Sequence, residues 1–132
     1  KAAALAGDEV ALLIYRSNLL GADLRLTNYG GGNTSCKAMA KNQLTGEATE
    51  VMWVKGSGGD LGSIKKNGLA ALYMDRLLSL KNIYRGIEHE DEMVELFNHC
   101  IYDLASTWVS SIQAYRPPAS RCGYRYCGCK RW

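Results

Sequence analysis

The segment Leu26–Ala38, LTNYGGGNTSCKA, carries three consecutive glycines followed at once by three short polar side chains. A hairpin tip needs only one or two glycines. A backbone that closes around an anion needs more, because main-chain amides and hydroxyls must then approach the ligand without a Cβ in the way. The segment therefore favours an anion-binding loop, and tight turns that bind no ligand are the alternative.

A second glycine-rich loop, KGSGGDLGS, runs from Lys55 to Ser63. It is not a Walker loop, and it fits the dinucleotide pattern G-x-G-x-x-G only loosely, with Leu61 at the place of the third glycine. Each loop follows or precedes a predicted strand, so the two loops can converge on one site. The groups suited to a phosphate there are main-chain amides, the Asn33 amide, the hydroxyls of Thr34, Ser35 and Ser57, and the nearby charge of Lys55.

The first half of the chain predicts one helix and two strands. The helix covers roughly residues 8–20, with Asp8 as its N-cap and Gly21 close to its end. Its expected apolar stripe consists of Val10, Leu13, Ile14, Leu20 and Leu24. TSCKAMAK and EVMWVKG are predicted strands, and NQLTGEA between them has the residues of a turn.

The second half contains one ambiguous segment and one clear helix. GLAALYMDRLLSLKNIY fits either a single helix or a strand that runs into a helix. EHEDEMVELFNHCIYDLA predicts a helix whose acidic start favours the positive end of its dipole. The apolar positions of that helix are Met93, Leu96, Phe97, Cys100, Ile101 and Leu104.

The composition indicates a globular protein with an unusual last segment. The 132 residues suit one domain, 47% are hydrophobic, and no apolar run approaches the roughly 20 residues of a membrane span. KAAALAG reads as a trimmed end, and we expect a cytoplasmic protein that does not bind membranes. Residues 1–105 hold 11 basic and 13 acidic residues, whereas residues 106–132 hold five basic residues and no acidic ones.

The histidines and cysteines do not form a recognisable metal motif. His89 and His99 lie ten residues apart, which is not the spacing of a helical metal pair, so a surface role and a role beside the helix core are favoured. Cys36 and Cys100 are expected to be small buried hydrophobes. The tail cysteines (Cys122, Cys127 and Cys129) suit half a zinc knuckle without a fourth ligand, and the basic aromatic tail could also contact nucleic acid.

The segments YRSNLLGADLRLTNYGGGNTSCKA, EVMWVKGSGGDLG, GLAALYMDRLLSLKN and EHEDEMVELFNHCIYDLA resemble the class II aldolase/adducin family. Within it they are most similar to the aldolase half of bifunctional rhamnulose-1-phosphate aldolase/alcohol dehydrogenase proteins, over Val10 to Ala105. The resemblance implies an α/β fold in which a mostly antiparallel sheet is flanked by helices. It also implies a partial domain in residues 1–105, a sugar phosphate or phosphate ion as ligand, and a possible homo-oligomer.

The resemblance assigns the substrate phosphate to the two glycine loops. By analogy the ligand residues are Gly32, Asn33 and Ser35 in the first loop and Ser57 and Gly58 in the second. The family holds zinc with three histidines and uses an upstream acidic residue as acid/base, all after the helix that ends near Ala105. This chain lacks that segment, so we expect no bound zinc, no catalytic residues and no aldolase activity in it.

The tail is expected to come from a shifted reading frame. Family members carry segments such as His-Leu-His-Pro-Asp-Ala, and codons for that string, read one nucleotide early, encode the residues Pro118 to Cys122. Nucleic-acid binding by residues 106–132 is therefore not expected. Two functions remain open: an aldolase-like domain that cleaves a ketose 1-phosphate to dihydroxyacetone phosphate and an aldehyde, and a non-catalytic phosphate-binding or oligomerisation remnant.

Overall fold

The computed structural model describes residues 2–56 and 58–103, which form three strands and three α-helices joined by short 3₁₀ turns. The helices are α1 (Glu9–Gly21), α2 (Met74–Ile83) and α3 (Glu90–Phe97). The strands are β1 (Ser35–Lys41), β2 (Ala48–Lys55) and β3 (Leu69–Tyr73). The tail, residues 106–132, and with it its three cysteines, lies outside the described residues.

The three strands form one antiparallel sheet in the order β1-β2-β3. Cys36 pairs with Trp53, and Trp53 pairs with Ala71, so these residues share one face of the sheet. The β1–β2 hairpin is closed by Asn42, whose Oδ1 accepts hydrogen bonds from the main-chain nitrogens of Leu44 at 2.9 Å and of Thr45 at 3.3 Å. This asparagine turn confirms the two strands and the turn that the sequence predicted.

Helix α1 covers one face of the sheet and forms the core with it. Asp8 caps the helix by accepting a hydrogen bond of 2.8 Å from the main-chain nitrogen of Ala11. The core consists of Leu13, Val51, Trp53, Ile64, Leu69 and Ala71. Val10 and Ile14 pack against it, so three of the predicted stripe positions face the sheet. The prediction that apolar side chains cover this face is confirmed for the first half of α1.

The predicted stripe is wrong at its C-terminal end, where Leu20 and Leu24 are exposed. The helix instead buries Leu13, Ser17 and Gly21, which follow one another at intervals of four residues. Ser17 and Gly21 are small, so the glycine loops can approach the helix closely at these two positions. Leu20 lies off this line, and Leu24 lies beyond the helix end, so neither reaches the core.

The ambiguous segment is a strand followed directly by a helix. Strand β3 is buried on both faces, because Leu69, Ala71 and Tyr73 lie on the α1 side and Ala70 and Leu72 on the other are also buried. Helix α2 starts at Met74 without a break and contacts β2 and β3. Five consecutive buried residues give no alternation, which explains why the sequence pattern alone could not separate strand from helix.

The last predicted helix is shorter than its apolar pattern indicated. Helix α3 ends at Phe97, a 3₁₀ turn follows over Asn98–Cys100, and Ile101 forms a β-bridge with Leu72. The main-chain nitrogen of Tyr102 donates a hydrogen bond of 2.8 Å to the carbonyl oxygen of Ala71. Ile101 and Tyr102 pair with the open edge of β3 and do not continue α3, because that edge satisfies their main-chain hydrogen-bonding groups. Leu104 lies outside the described residues.

The helices of the described part are short. The longest, α1, has 13 residues, and none in the described ranges has the length and apolar character that crossing a bilayer requires.

Candidate functional site

The first glycine loop adopts a backbone conformation that only glycine tolerates well. Gly32 has φ +82°, in the left-handed region, and a Cβ built on it would lie 3.0 Å from Cδ2 of Leu61. Any side chain at this position would therefore meet both backbone strain and a steric contact. Gly32, Asn33 and Ser35 are all exposed, as residues that bind a ligand from solvent must be.

The two glycine loops lie side by side, as the sequence predicted. The Gly32–Leu61 contact joins them, because Leu61 belongs to the 3₁₀ turn at the end of the second loop. In the second loop Gly58 is exposed and has φ +79°, which again favours glycine. Ser57, the remaining predicted ligand, lies outside the described residues. The described residues among the predicted phosphate ligands therefore occupy two adjoining loops.

Thr34 is held from two sides. Its Oγ1 lies 3.0 Å from Oγ of Ser17 on α1, and its carbonyl oxygen accepts a hydrogen bond of 2.9 Å from the main-chain nitrogen of Lys55. The strand alternation that follows places Ser35 on the opposite face from Thr34. Thr34 thus anchors the first loop to both α1 and β2, although its hydroxyl was one of the groups suited to phosphate by composition.

Lys55 is a buried cation at the end of β2. Its residue is only 9% exposed, and it follows Val51 and Trp53 on the face that α1 covers. Its Nζ donates a hydrogen bond of 3.2 Å to the carbonyl oxygen of Gly56. Within residues 2–56 and 58–103, no carboxylate lies within ion-pair distance of this ammonium group. Burial of an ammonium group without a counter-charge is unfavourable, so the position suits an anion.

The side chain of Lys55 lies beside the second loop. A Cβ built on Gly59 would be 4.0 Å from Cε of Lys55, which is ordinary van der Waals distance. The sequence predicted Lys55 only as a charge near the site, and Lys55 was not among the predicted ligand residues. The signal that identifies it is its position at the end of the buried face of β2, directly before the glycines.

Several main-chain amides of the loops have no hydrogen-bond partner among residues 2–56 and 58–103. They are the N–H groups of Gly32, Asn33, Gly58 and Gly59. By contrast, the Lys55 and Gly56 amides are both paired, with Thr34 and with Gly68. Main-chain amides that are unpaired among the described residues, beside a lysine, form an arrangement that attracts an anion rich in acceptor oxygens.

Ser35 does not lie beside Lys55. The alternation along β1 places its side chain on the face away from α1, together with Lys37 and Met39, whereas Lys55 lies on the α1 face. The structure places Gly32 against Leu61 of the second loop and Lys55 beside Gly59. A ligand that also reaches the Ser35 hydroxyl must extend around the end of the sheet.

The described residues do not form a zinc site. His89 is half-buried on the turn before α3, where its Nδ1 lies 3.0 Å from Oε1 of Glu92, and Arg85 approaches the same carboxylate at 3.4 Å. His99 lies in the 3₁₀ turn after α3. Within the described ranges, no three histidine, cysteine, aspartate or glutamate side chains are close enough to share a metal ion. We therefore derive no chemical step through zinc.

A solved structure identifies the fold to which these loops belong. The N-terminal class II aldolase domain of a conserved protein from Thermoplasma acidophilum superposes with a TM-score of 0.64 and 28% identity, over 76% of this chain and 45% of that one. The described residues have a class II aldolase domain fold. Its helices and antiparallel sheet confirm the fold class that the sequence resemblance implied.

A curated relative is similar to this chain over a small part of a much longer protein. The chain is 45% identical to "Uncharacterized oxidoreductase YuxG" of Bacillus subtilis (strain 168) over 91 residues, which is 69% of this chain and 13% of that protein. No family model matches the sequence. The chain thus spans less than half of its structural neighbour and about an eighth of this relative.

Proposed function

We propose that this chain is part of a class II aldolase-like protein and that its two glycine loops bind the phosphate group of a sugar phosphate. The observation that carries the proposal is the buried residue Lys55, whose Nζ donates to the Gly56 carbonyl oxygen and whose side chain lies beside Gly59 of the second glycine loop. The aldolase fold of the structural neighbour supports the same conclusion.

The donors fit a phosphate better than a carboxylate. A phosphate monoester carries close to two negative charges and three terminal oxygens, so it can accept hydrogen bonds from several directions at once. The loops supply main-chain N–H groups from both sides, the Asn33 amide supplies another donor, and Lys55 supplies charge. Gly32 and Gly58, in the left-handed region, allow the main chain itself to approach the oxygens.

The proposed substrate class is a ketose 1-phosphate, which an aldolase of this type cleaves to dihydroxyacetone phosphate and an aldehyde. For the described residues the proposal covers binding and orientation of the phosphate, not bond cleavage. The resemblance to rhamnulose-1-phosphate aldolase proteins favours a deoxyketose phosphate among these substrates. A cytoplasmic location and assembly into a homo-oligomer stay predictions.

A second candidate is a phosphate-binding domain without catalytic activity. It is favoured by the absence, in the described ranges, of any side-chain cluster that could hold a metal ion. Both candidates require the same phosphate site, so the first experiment is common to them.

The experiment measures binding of inorganic phosphate and of a sugar phosphate by amide NMR and by thermal unfolding. We expect phosphate to raise the melting temperature and to shift the resonances of Gly32, Asn33 and Gly58. Replacement of Lys55 by methionine keeps the packing volume and removes the charge, and it should weaken binding about tenfold or more. Lys37→Met removes an exposed lysine from β1 and serves as the matched control. Equal weakening in both variants would indicate non-specific attraction and refute the site.

A further inference from the structure

We infer that Ser17, on α1, is a positioning residue that sets the geometry of the phosphate loop through Thr34. This inference rests on the proposed function, because it concerns how the same loop is held. Ser17 is almost fully buried, at 1% exposed, and it lies 17 positions before the threonine that its hydroxyl contacts.

The hydrogen bonds at Ser17 define a direction. Its Oγ lies 2.7 Å from the carbonyl oxygen of Leu13 and 3.0 Å from Oγ1 of Thr34. A serine hydroxyl has one proton, and a carbonyl oxygen can only accept, so Ser17 donates to Leu13. The Thr34 hydroxyl is therefore the donor in the second bond, and Ser17 is its acceptor.

This assignment removes Thr34 from the set of phosphate ligands. A phosphate group accepts hydrogen bonds, so a hydroxyl binds it by donating its proton. The proton of Thr34 is already directed at Ser17 on the α1 side of the loop. The role of Thr34 is to hold the main chain between Asn33 and Ser35, the two predicted ligand side chains.

Thr34 is also tied to β2 through its main chain. The carbonyl oxygen of Thr34 accepts a hydrogen bond of 2.9 Å from the nitrogen of Lys55, the buried cation of the site. The side chain of Thr34 thus fixes the loop to α1, and its carbonyl fixes the loop to the strand end that carries Lys55. Loss of the Ser17 bond frees the side chain of Thr34 to rotate and lets Asn33 move relative to Lys55.

The test compares inorganic phosphate binding by the full 132-residue chain and four variants. Ser17→Ala removes the acceptor, Thr34→Val removes the donor with little change of shape, the third variant carries both changes, and Thr34→Ser keeps the hydroxyl. We expect each of the first two to weaken phosphate binding about fivefold. The combined variant should be no weaker than the single ones, because both changes break one bond. Thr34→Ser should bind nearly as tightly as the unsubstituted chain.

Ser79→Ala is the matched control. The Ser79 hydroxyl donates to the carbonyl oxygen of Asp75 at 2.9 Å, which is the same bond to the preceding helical turn, but on exposed α2 and away from the loops. This variant should bind phosphate like the unsubstituted chain. The free energy of unfolding of all variants is measured in parallel, so that lost stability is separated from a misplaced loop.

The outcomes separate this inference from the proposed function. Failure of the unsubstituted chain to bind phosphate refutes the proposed function, and this inference with it. Binding that is intact in the unsubstituted chain and unchanged in Ser17→Ala refutes the inference alone. Effects of Ser17→Ala and Thr34→Val that multiply in the combined variant also refute it, because Ser17 would then act by a route other than Thr34.

Discussion

Gly21, the last residue of α1, lies in main-chain contact with Gly62 in the 3₁₀ turn at the end of the second glycine loop. A Cβ built on Gly21 would fall 2.5 Å from Cα of Gly62, and a Cβ built on Gly62 would fall 2.9 Å from the carbonyl oxygen of Gly21. Both distances are far below ordinary contact, so neither residue can carry a side chain in this arrangement. The helix and the second loop meet there without any side chain between them.

Replacement of Gly21 by alanine should therefore destabilise the protein. The added methyl group meets rigid main chain rather than a flexible side chain, and we expect a loss of about 3 kcal/mol in the free energy of unfolding. Gly59→Ala is the control, since a Cβ there meets only Cε of Lys55 at 4.0 Å. Urea unfolding of the two variants measures the difference, and equal stability would show that the close contact is absent in solution.

Tyr102 should contribute through one hydrogen bond across the sheet. Its hydroxyl donates to the carbonyl oxygen of Lys41 at 2.8 Å, and its ring packs edge-on against Tyr73 with centroids 5.2 Å apart. Tyr102→Phe keeps the ring and removes the donor, so we expect a loss of about 1 kcal/mol. Tyr29→Phe, at a residue that is 82% exposed, should change the free energy of unfolding little. A loss of similar size in both variants would contradict the assignment.

The two described cysteines should make the stability depend on alkaline pH. Burial raises the pKa of the Cys36 and Cys100 thiols, and the carboxylates of Glu9 and Asp8 raise that of Cys36 further. Because the pKa of each thiol is higher in the folded state than in the unfolded state, the stability that the thiols contribute is complete below the unfolded pKa of about 8.5. That contribution is lost as the pH rises through the pKa of the folded state. Unfolding measured from pH 7 to 10 should show this decline. Cys36→Ala combined with Cys100→Ala should reduce it, and an unchanged slope would argue against these thiols as its cause.

The chain of 132 residues should show no aldolase activity with zinc. Its only histidines are His89 and His99, and the family mechanism uses three as metal ligands with one position left open for substrate. The measurement is a coupled assay for dihydroxyacetone phosphate released from rhamnulose 1-phosphate, with zinc and with a chelator. Turnover that requires zinc and stops with the chelator would overturn this expectation and the interpretation of the tail.

The nucleotide sequence around the codon for Ala105 should decide the origin of residues 106–132. We expect a frame restored beyond this codon to encode a His-x-x-His-x-His segment, since that is what the aldolase resemblance places there. A gene in which no frame encodes such a segment would show that the tail is a genuine part of this protein.

The sequence predicted the loops of this fold better than the contacts that hold them. Three consecutive glycines before Asn33 predicted a loop that either closes around an anion or makes tight turns without a ligand, and anion binding there stays a prediction. The contact between Gly21 and Gly62 joins residues 41 positions apart, and no local spacing signals it. No local spacing signals the contact between Ser17 and Thr34 either, although Ser17 is almost fully buried.

The predicted length of the last helix was wrong for a related reason. Helical spacing from Met93 to Ile101 measures only which residues are apolar, whereas the bridge between Ile101 and Leu72 depends on an open strand edge far away in the chain. Lys55 was not predicted as a ligand residue, because lysine side chains are usually exposed. Its burial follows from its place in the register of β2, opposite Leu69, which becomes known only when the strands are paired.

The order of the strands has a consequence for how the protein folds. Each strand pairs with its neighbour in the sequence, and α1, which covers the sheet, directly precedes β1. The contacts that hold the two glycine loops join residues 17 to 41 positions apart, from Ser17–Thr34 to Gly21–Gly62, and each doubling of such a loop adds only about 0.6 kcal/mol to the entropic cost of closing it. The bond between Tyr102 and Lys41 spans 61 positions, so we expect it to form after them. The two glycine loops can accordingly assemble while a ribosome is still synthesising the chain beyond them.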